Sequence, residues 1–150
     1  MIYVISGSRR LDPRFHREAY EVLKLAIRHI AADARAVYHG GAKGVDSVAR
    51  ELCFRYLQRN VPVIEVPARW AISGKAAGLL RNREMLRLAQ QYAAWLQVPV
   101  KLLAFPCSQS IGTHQCIKTA RKLTIDCVTM PLGELLEVQC LSLWLSLIHI

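Results

Sequence analysis

Two kinds of hydrophobic pattern alternate along this chain. Short continuous apolar runs occur at Ile2 to Ile5, Ala36 to Tyr38, Val61 to Val66, Val100 to Phe105 and Ile125 to Met130. Their length and β-branched content are those of strands covered on both faces. Between the runs, apolar residues recur every three or four positions. Phe15, Ala19, Val22, Leu23, Ala26, Ile27 and Ile30 predict a first amphipathic helix, with Asp12 as its N-cap and Pro13 at its first position. Val45, Val48, Ala49, Leu52, Cys53 and Tyr56 predict a second, and Met85, Leu88, Ala89, Tyr92, Ala93 and Leu96 a third opened by Arg81-Asn82. Thr113 reads as the N-cap of a short fourth helix running toward Lys122. Strands separated by helices imply parallel βαβ units, hence an α/β doubly wound parallel sheet of about five strands with helices on both faces.

The distinctive polar and glycine-rich segments all follow strands. Ser6 to Arg10 follow the first, His39 to Asp46 the second, Trp70 to Asn82 the third and Ser108 to Thr113 the fourth. In an open α/β sheet these loops share the carboxyl edge, where ligands collect near the switch in strand order. The segment His39-Gly40-Gly41-Ala42-Lys43-Gly44-Val45-Asp46 is the most informative of them. A glycine turn brings backbone N–H groups close to an anion, and the following helix adds its positive end. It is neither GxGxxG nor GxxxxGK[ST], so neither the dinucleotide fingerprint nor a P-loop is present.

Each candidate residue has a plain structural alternative. Gly40 and Gly41 form either a tight turn or a phosphate cradle. Ser8 and Arg9 are a solvated polar turn or a phosphate contact, and Lys43 an exposed cation or another such contact. Asp46 complements its helix dipole or accepts from a ribose hydroxyl or base. Trp70 packs or stacks on a base. Ser110, Gly112 and Thr113 make a second cradle, or Thr113 simply caps its helix.

Composition narrows the classes. The 150 residues suggest one domain, and 20 basic against 11 acidic side chains leave a formal net charge of +9. That charge suits nucleic acid or a phosphate-bearing ligand, although aromatic residues are only 7% and form no stacking row. No apolar run approaches the roughly 20 residues of a spanning helix, and the first residues lack a signal peptide's basic start. A cytoplasmic protein with no membrane association is expected. The five cysteines contain no CxxC pair and read as reduced thiols. Cys107, His114 and Cys116 lack a fourth ligand and the usual zinc spacing, so no metal site is expected. Residues 145–150, Leu-Ser-Leu-Ile-His-Ile, resemble the translation of a transposon-end adaptor. They are set apart as an artefact from a single domain over 1–144.

Taken together, Gly7-Ser8-Arg9, the His39 to Asp46 segment, Gly74-Lys75-Ala76-Ala77-Gly78 with Arg81-Asn82, and Ser110-x-Gly112-Thr113 resemble the SLOG superfamily, in particular its small YspA (YpsA-related) type of bacteria and phages. The resemblance covers roughly residues 2 to 130 in the same order. It implies a Rossmann-like fold that binds nucleotides or their derivatives, often paired as a homodimer. Two relatives point in different directions. DprA, with a similar glycine–aspartate segment and arginine–asparagine start, binds single-stranded DNA. The LOG phosphoribohydrolases, which release a base from a nucleoside monophosphate, use an arginine and a PGGxGT segment followed by glutamate. Arg81 stands at that arginine and Gly112-Thr113 match the GT, but Gln109-Ser110-Ile111 replace PGG and His114 follows. Asp46 or Glu84 would have to replace the missing glutamate.

The expected function is therefore binding or sensing of a nucleotide-derived ligand. Amides at Gly40, Gly41, Gly44 and Gly112 hold phosphate, Ser8, Arg9 and Arg81 add charged or polar contacts, and Asp46 and Asn82 recognise sugar or base. Gly7, His39, Lys43, Ser110 and Thr113 complete the expected site. No other cofactor is implied. Nucleotide N-glycosidic hydrolysis and single-stranded DNA binding are the alternatives.

Overall fold

The computed structural model describes residues 1–9, 16–107, 110–132 and 145–148. Strands β1 (Ile2–Gly7), β2 (Ala36–His39), β3 (Val63–Glu65), β4 (Val100–Phe105) and β5 (Asp126–Thr129) form one sheet. All neighbours are parallel, in the order β3-β2-β1-β4-β5. Helices α1 (His16–Ile30), α2 (Val45–Tyr56), α3 (Trp70–Ser73), α4 (Ala77–Leu96) and α5 (Ile111–Lys122) connect them. The sheet grows outward from β1 in one direction through β3, then returns to add β4 and β5 on the other side. The switch in strand order therefore lies between β1 and β4.

The period of two along the strands divides the core. Tyr3, Ile5, Val37, Leu103, Phe105 and Val128 face one side, where Ala19, Leu23, Ala26, Ile27 and Ile30 of α1 and Val45, Ala49 and Leu52 of α2 pack on them. Ile2, Val4, Ala36, Tyr38, Leu102 and Ala104 face the other, beneath Met85, Leu86, Ala89 and Ala93 of α4 and Cys116, Ile117 and Ala120 of α5. The sheet is thus α/β and Rossmann-like, buried on both faces, which is why its strands read as unbroken apolar runs.

Three expectations change. The region from Trp70 is not a long loop: α3 and a 3-10 turn over Gly74–Ala76 lead into α4, which begins at Ala77. Arg81 and Asn82 therefore sit in its second turn rather than opening it. Leu88 is 37% exposed while Leu86 is fully buried, because the inner face of α4 follows Asn82, Met85, Leu86, Ala89 and Ala93. Thr113 is not an N-cap: α5 starts at Ile111 with Ser110 as the flanking residue, and Thr113 is buried in the first turn.

Asp12, Pro13, Phe15, Arg10, Arg14, Ser108, Gln109 and Cys140 lie outside the described residues. Within 145–148, Ile148 is fully buried against the α1 side of the core. The Lys101 ammonium donates to the carbonyls of Leu147 and Ile148 at 3.2 and 2.8 Å.

Candidate functional site

The glycine segment closes on itself. β2 ends at His39, and the chain turns through Gly40 to Gly44 into α2. Asp46, in the first turn of α2, is 4% exposed. Its Oδ2 accepts hydrogen bonds from the Gly40 and Ala42 amides, each at 3.2 Å. The Gly41 amide donates to His39 Nδ1 at 3.1 Å. The amides of Gly40 and Gly41, expected to face a phosphate, already donate inside the loop. Burial holds the His39 imidazole below its usual pKa, with Glu65 pulling it back up and Arg50 and Arg81 pushing it further down. A neutral ring that accepts at Nδ1 carries its proton on Nε2.

The segment also fits tightly against its neighbours. Gly44 has φ +82°, and a Cβ there would run into the main-chain carbonyls of Ser8 and Arg9. The Val45 amide donates to the Ser8 carbonyl at 3.1 Å, and the Ser8 amide to the Phe105 carbonyl at 3.2 Å. The turn after β1 is thereby tied to both α2 and β4. Gly7 ends β1 directly against Val45. Ser8 is buried, whereas Lys43 and Arg9 are exposed.

Arg81 links the strand ends from inside. It is 7% exposed. Its Nη1 donates to the carbonyl of Gly40, and lies 3.5 Å from that of Val66 beyond β3. Its Nε donates to Asn82 Oδ1 at 2.8 Å, and Asn82 Nδ2 donates to the Gly112 carbonyl at 3.4 Å. A Cβ on Gly40 would collide with the guanidinium. One arginine–asparagine pair thus connects the ends of β2 and β3 to the start of α5. This is a support role for side chains expected to contact ligand.

The β4–α5 turn is built differently. Ser110 Oγ accepts from the Cys107 amide at 2.8 Å, and the Ser110 amide donates back to the Cys107 carbonyl at 3.1 Å. The first intrahelical bond runs from His114 N to the Ser110 carbonyl. The amides of Ile111, Gly112 and Thr113 precede it and have no acceptor within the helix. Gly112 has open space where a side chain would be.

Asp46 is the electrostatic centre. Burial raises its carboxyl pKa to about 6, against the opposing pull of the Ala42 amide, Arg81, the Gly40 amide and Arg9. Its Oδ1 is buried and has no hydrogen-bond partner among the described residues. Burial also works against the charge on Arg81, which Asp46 supports and Arg9 opposes. Of the two carboxylates weighed as replacements for the missing glutamate, Glu84 is exposed and Asp46 Oδ2 is engaged by the loop.

Two further members of this cluster, Cys116 and Ser6, were not among the expected ligand-binding residues. Cys116 is fully buried, and burial pushes its thiol up to about 11 despite a hydrogen bond with Ser6 and the nearby Arg81 charge. Ser6 was readable: it is the third residue, after Ile2 and Val4, on the α4/α5 face of β1. Cys116 lies one helical turn beyond Thr113. Among the described residues no group of His, Cys, Asp and Glu side chains is arranged to hold a metal ion, and no helix is long and apolar enough to cross a membrane.

No family model matches the chain. The Gene 61 protein of Mycobacterium phage D29 is 36% identical over 94 residues, covering 61% of this chain and 68% of the phage protein. Among solved structures, DNA processing protein A from Streptococcus pneumoniae superposes with a TM-score of 0.46 at 14% identity, over 84% of this chain. The chain spans 57% of that protein's length. DNA processing protein A from Helicobacter pylori, described for its single-stranded DNA binding mode, gives 0.44 at 17% identity, over 99% of this chain and 80% of its own.

Proposed function

The chain belongs to the family of the Gene 61 protein of Mycobacterium phage D29, and we propose that it binds an anionic, nucleotide-type small ligand at the β1/β4 switch point. The observation that carries this reading is Asp46 Oδ1, a buried carboxylate oxygen with no donor among the described residues, in a cluster that contains Arg81 and feels the charge of Arg9. A buried acceptor left unmatched costs roughly 1–3 kcal/mol. A ligand hydroxyl or amino group that donates to it removes that cost, which couples binding to this atom.

The phosphate belongs at the start of α5 rather than on the glycine segment. The amides of Ile111, Gly112 and Thr113 point out of the helix end, and Gly112 leaves room for an anion. Arg9 supplies the accessible positive charge. Arg81 and Asn82 tie the ends of β2 and β3 to the start of α5. The glycine segment positions Asp46. On this reading the chain is a ligand-binding or sensing module of the YspA type, with a sugar or base donor read by Asp46.

Titration calorimetry with AMP, NAD and ADP-ribose tests this, together with mass spectrometry of small molecules released from the purified protein. A bound nucleotide derivative, with affinity reduced in Asp46→Asn, is the expected result. The reading fails if none of the three binds and nothing is released. It also fails if a single-stranded oligonucleotide binds more tightly than any of them, with the steep salt dependence of a phosphate-tracking surface.

A further inference from the structure

We infer that the ligand at this rim carries an aromatic base, and that Trp70 with Arg9 laid over its ring forms the platform that receives it. The inference rests on the reading of the rim as a phosphate-ligand site and adds the chemistry of the ligand's other end.

Trp70 opens α3 and is 48% exposed. It belongs to neither core cluster, so packing does not account for it. The Arg9 guanidinium carbon lies 4.5 Å from the Trp70 ring centroid, within cation–π range. Gly78, buried in the first turn of α4, sits beneath both. A Cβ there would meet Arg9 Nη2 at 2.7 Å and the Trp70 ring at 3.4 Å. A side chain at this position would push the Arg9 guanidinium aside while touching the indole at ordinary contact distance.

The pair is joined electrically to the cleft. Arg9 is felt by Asp46 and by Arg81. The indole and the guanidinium laid on it therefore stand beside the rim, close enough for the Arg9 charge to act on Asp46 and Arg81. A guanidinium stacked on an indole can offer its outer face to another π-system while its edge N–H groups meet an anion. A base joined to a phosphate through a sugar supplies both. Trp95 makes a useful contrast. It is 78% exposed and stacks on Tyr92 with a centroid distance of 6.1 Å. It stands near the C-terminal end of α4, at the opposite edge of the sheet from the cleft.

The test compares ribose 5-phosphate with AMP, GMP, CMP and UMP by calorimetry, in the parent chain and in Trp70→Leu and Trp70→Phe. At least one nucleotide should bind about tenfold or more tightly than ribose 5-phosphate, the range of one base–aromatic stack. Trp70→Leu should abolish that margin, and Trp70→Phe should keep most of it. In a chain with Trp95 and Trp144 replaced by Phe, the nucleotide should quench Trp70 fluorescence and ribose 5-phosphate should not. This readout does not depend on the Trp70→Leu variant folding. Equal affinities for nucleotide and sugar phosphate overturn the base platform while leaving the phosphate site standing, as does a margin that survives Trp70→Leu. Binding of neither class overturns both.

Discussion

The β2–α2 and β4–α5 turns lie at the same edge of the sheet, yet one is closed and the other open. In the first, three glycines draw the eye, but two of their amides and that of Ala42 already have partners in Asp46 and His39. In the second, a Cβ on the single glycine at the start of α5 would meet no other atom of the described residues within 4 Å. The difference separates two uses of glycine. Gly40 and Gly44 permit close approach of protein to protein, by the Arg81 guanidinium and the Ser8 carbonyl. Gly112 leaves space for something else. The conspicuous motif is occupied by the protein's own groups, and the quieter one is where the proposed ligand phosphate would sit.

The largest effect is expected from Arg81. Arg81→Ala removes the donor to the Gly40 and Val66 carbonyls and leaves the Asp46 carboxylate without its buried cation. Urea unfolding should show a loss of about 3–5 kcal/mol. Arg81→Lys should not restore it, since an ammonium lacks the fork that reaches these carbonyls and Asn82 together. A loss below about 1 kcal/mol would mean the closed turn does not need its strut.

Acidity probes the same turn. Burial raises the Asp46 carboxyl from 3.8 to about 6, so the folded chain binds this proton more tightly than the unfolded one. Its contribution to stability is complete below about pH 4 and is lost as pH rises through 6, a swing of at most about 3 kcal/mol. Asp46→Asn should flatten that part of the stability–pH curve while keeping an acceptor for the two amides. An unchanged curve would show that Asp46 is not the titrating group.

Glycine substitutions sharpen the contrast directly. Gly44→Ala forces a side chain into a left-handed position against two carbonyls and should cost about 2–3 kcal/mol in denaturant unfolding. Gly112→Ala should be neutral or stabilise by up to about 1 kcal/mol, because open space and helical backbone favour alanine. Similar losses at both positions would erase the distinction between the two turns.

Arg9→Ala should leave folding unchanged and weaken AMP binding by about 1.5–3 kcal/mol, the worth of a charge-assisted contact. Gly112→Asp completes the series. Its carboxylate suits a helix N-terminus and should add about 0.3–1 kcal/mol to stability, while repelling a ligand phosphate. Undiminished binding in Gly112→Asp would move the anion away from α5.

Much of the architecture was readable because burial has a period. Ile2 and Val4 alternate with Tyr3 and Ile5 across β1, and the α1 stripe from Ala19 to Ile30 is buried throughout. The meeting of loops after β1, β2 and β4 followed from strand direction alone. The roles of Arg81 and Asn82 did not. An arginine beside a glycine turn has the same spacing whether it meets a phosphate or the turn's own carbonyl. Thr113 likewise has the chemistry of a cap, but Ser110 takes the flanking position, with its hydroxyl accepting from the Cys107 amide rather than capping the helix. Leu88 and Leu86 exchange places because the inner face of α4 also carries a polar pair.

Apolar periodicity along the chain specified a parallel sheet covered by helices on both sides and the edge where its polar turns gather. That information is local, carried by residues two or four apart. Which amides stay available, and that Asp46 keeps one oxygen without a donor among the described residues, arose only when segments dozens of residues apart closed on one another. A hydrogen bond is a choice among partners, and the competing partners are not neighbours until the chain has folded.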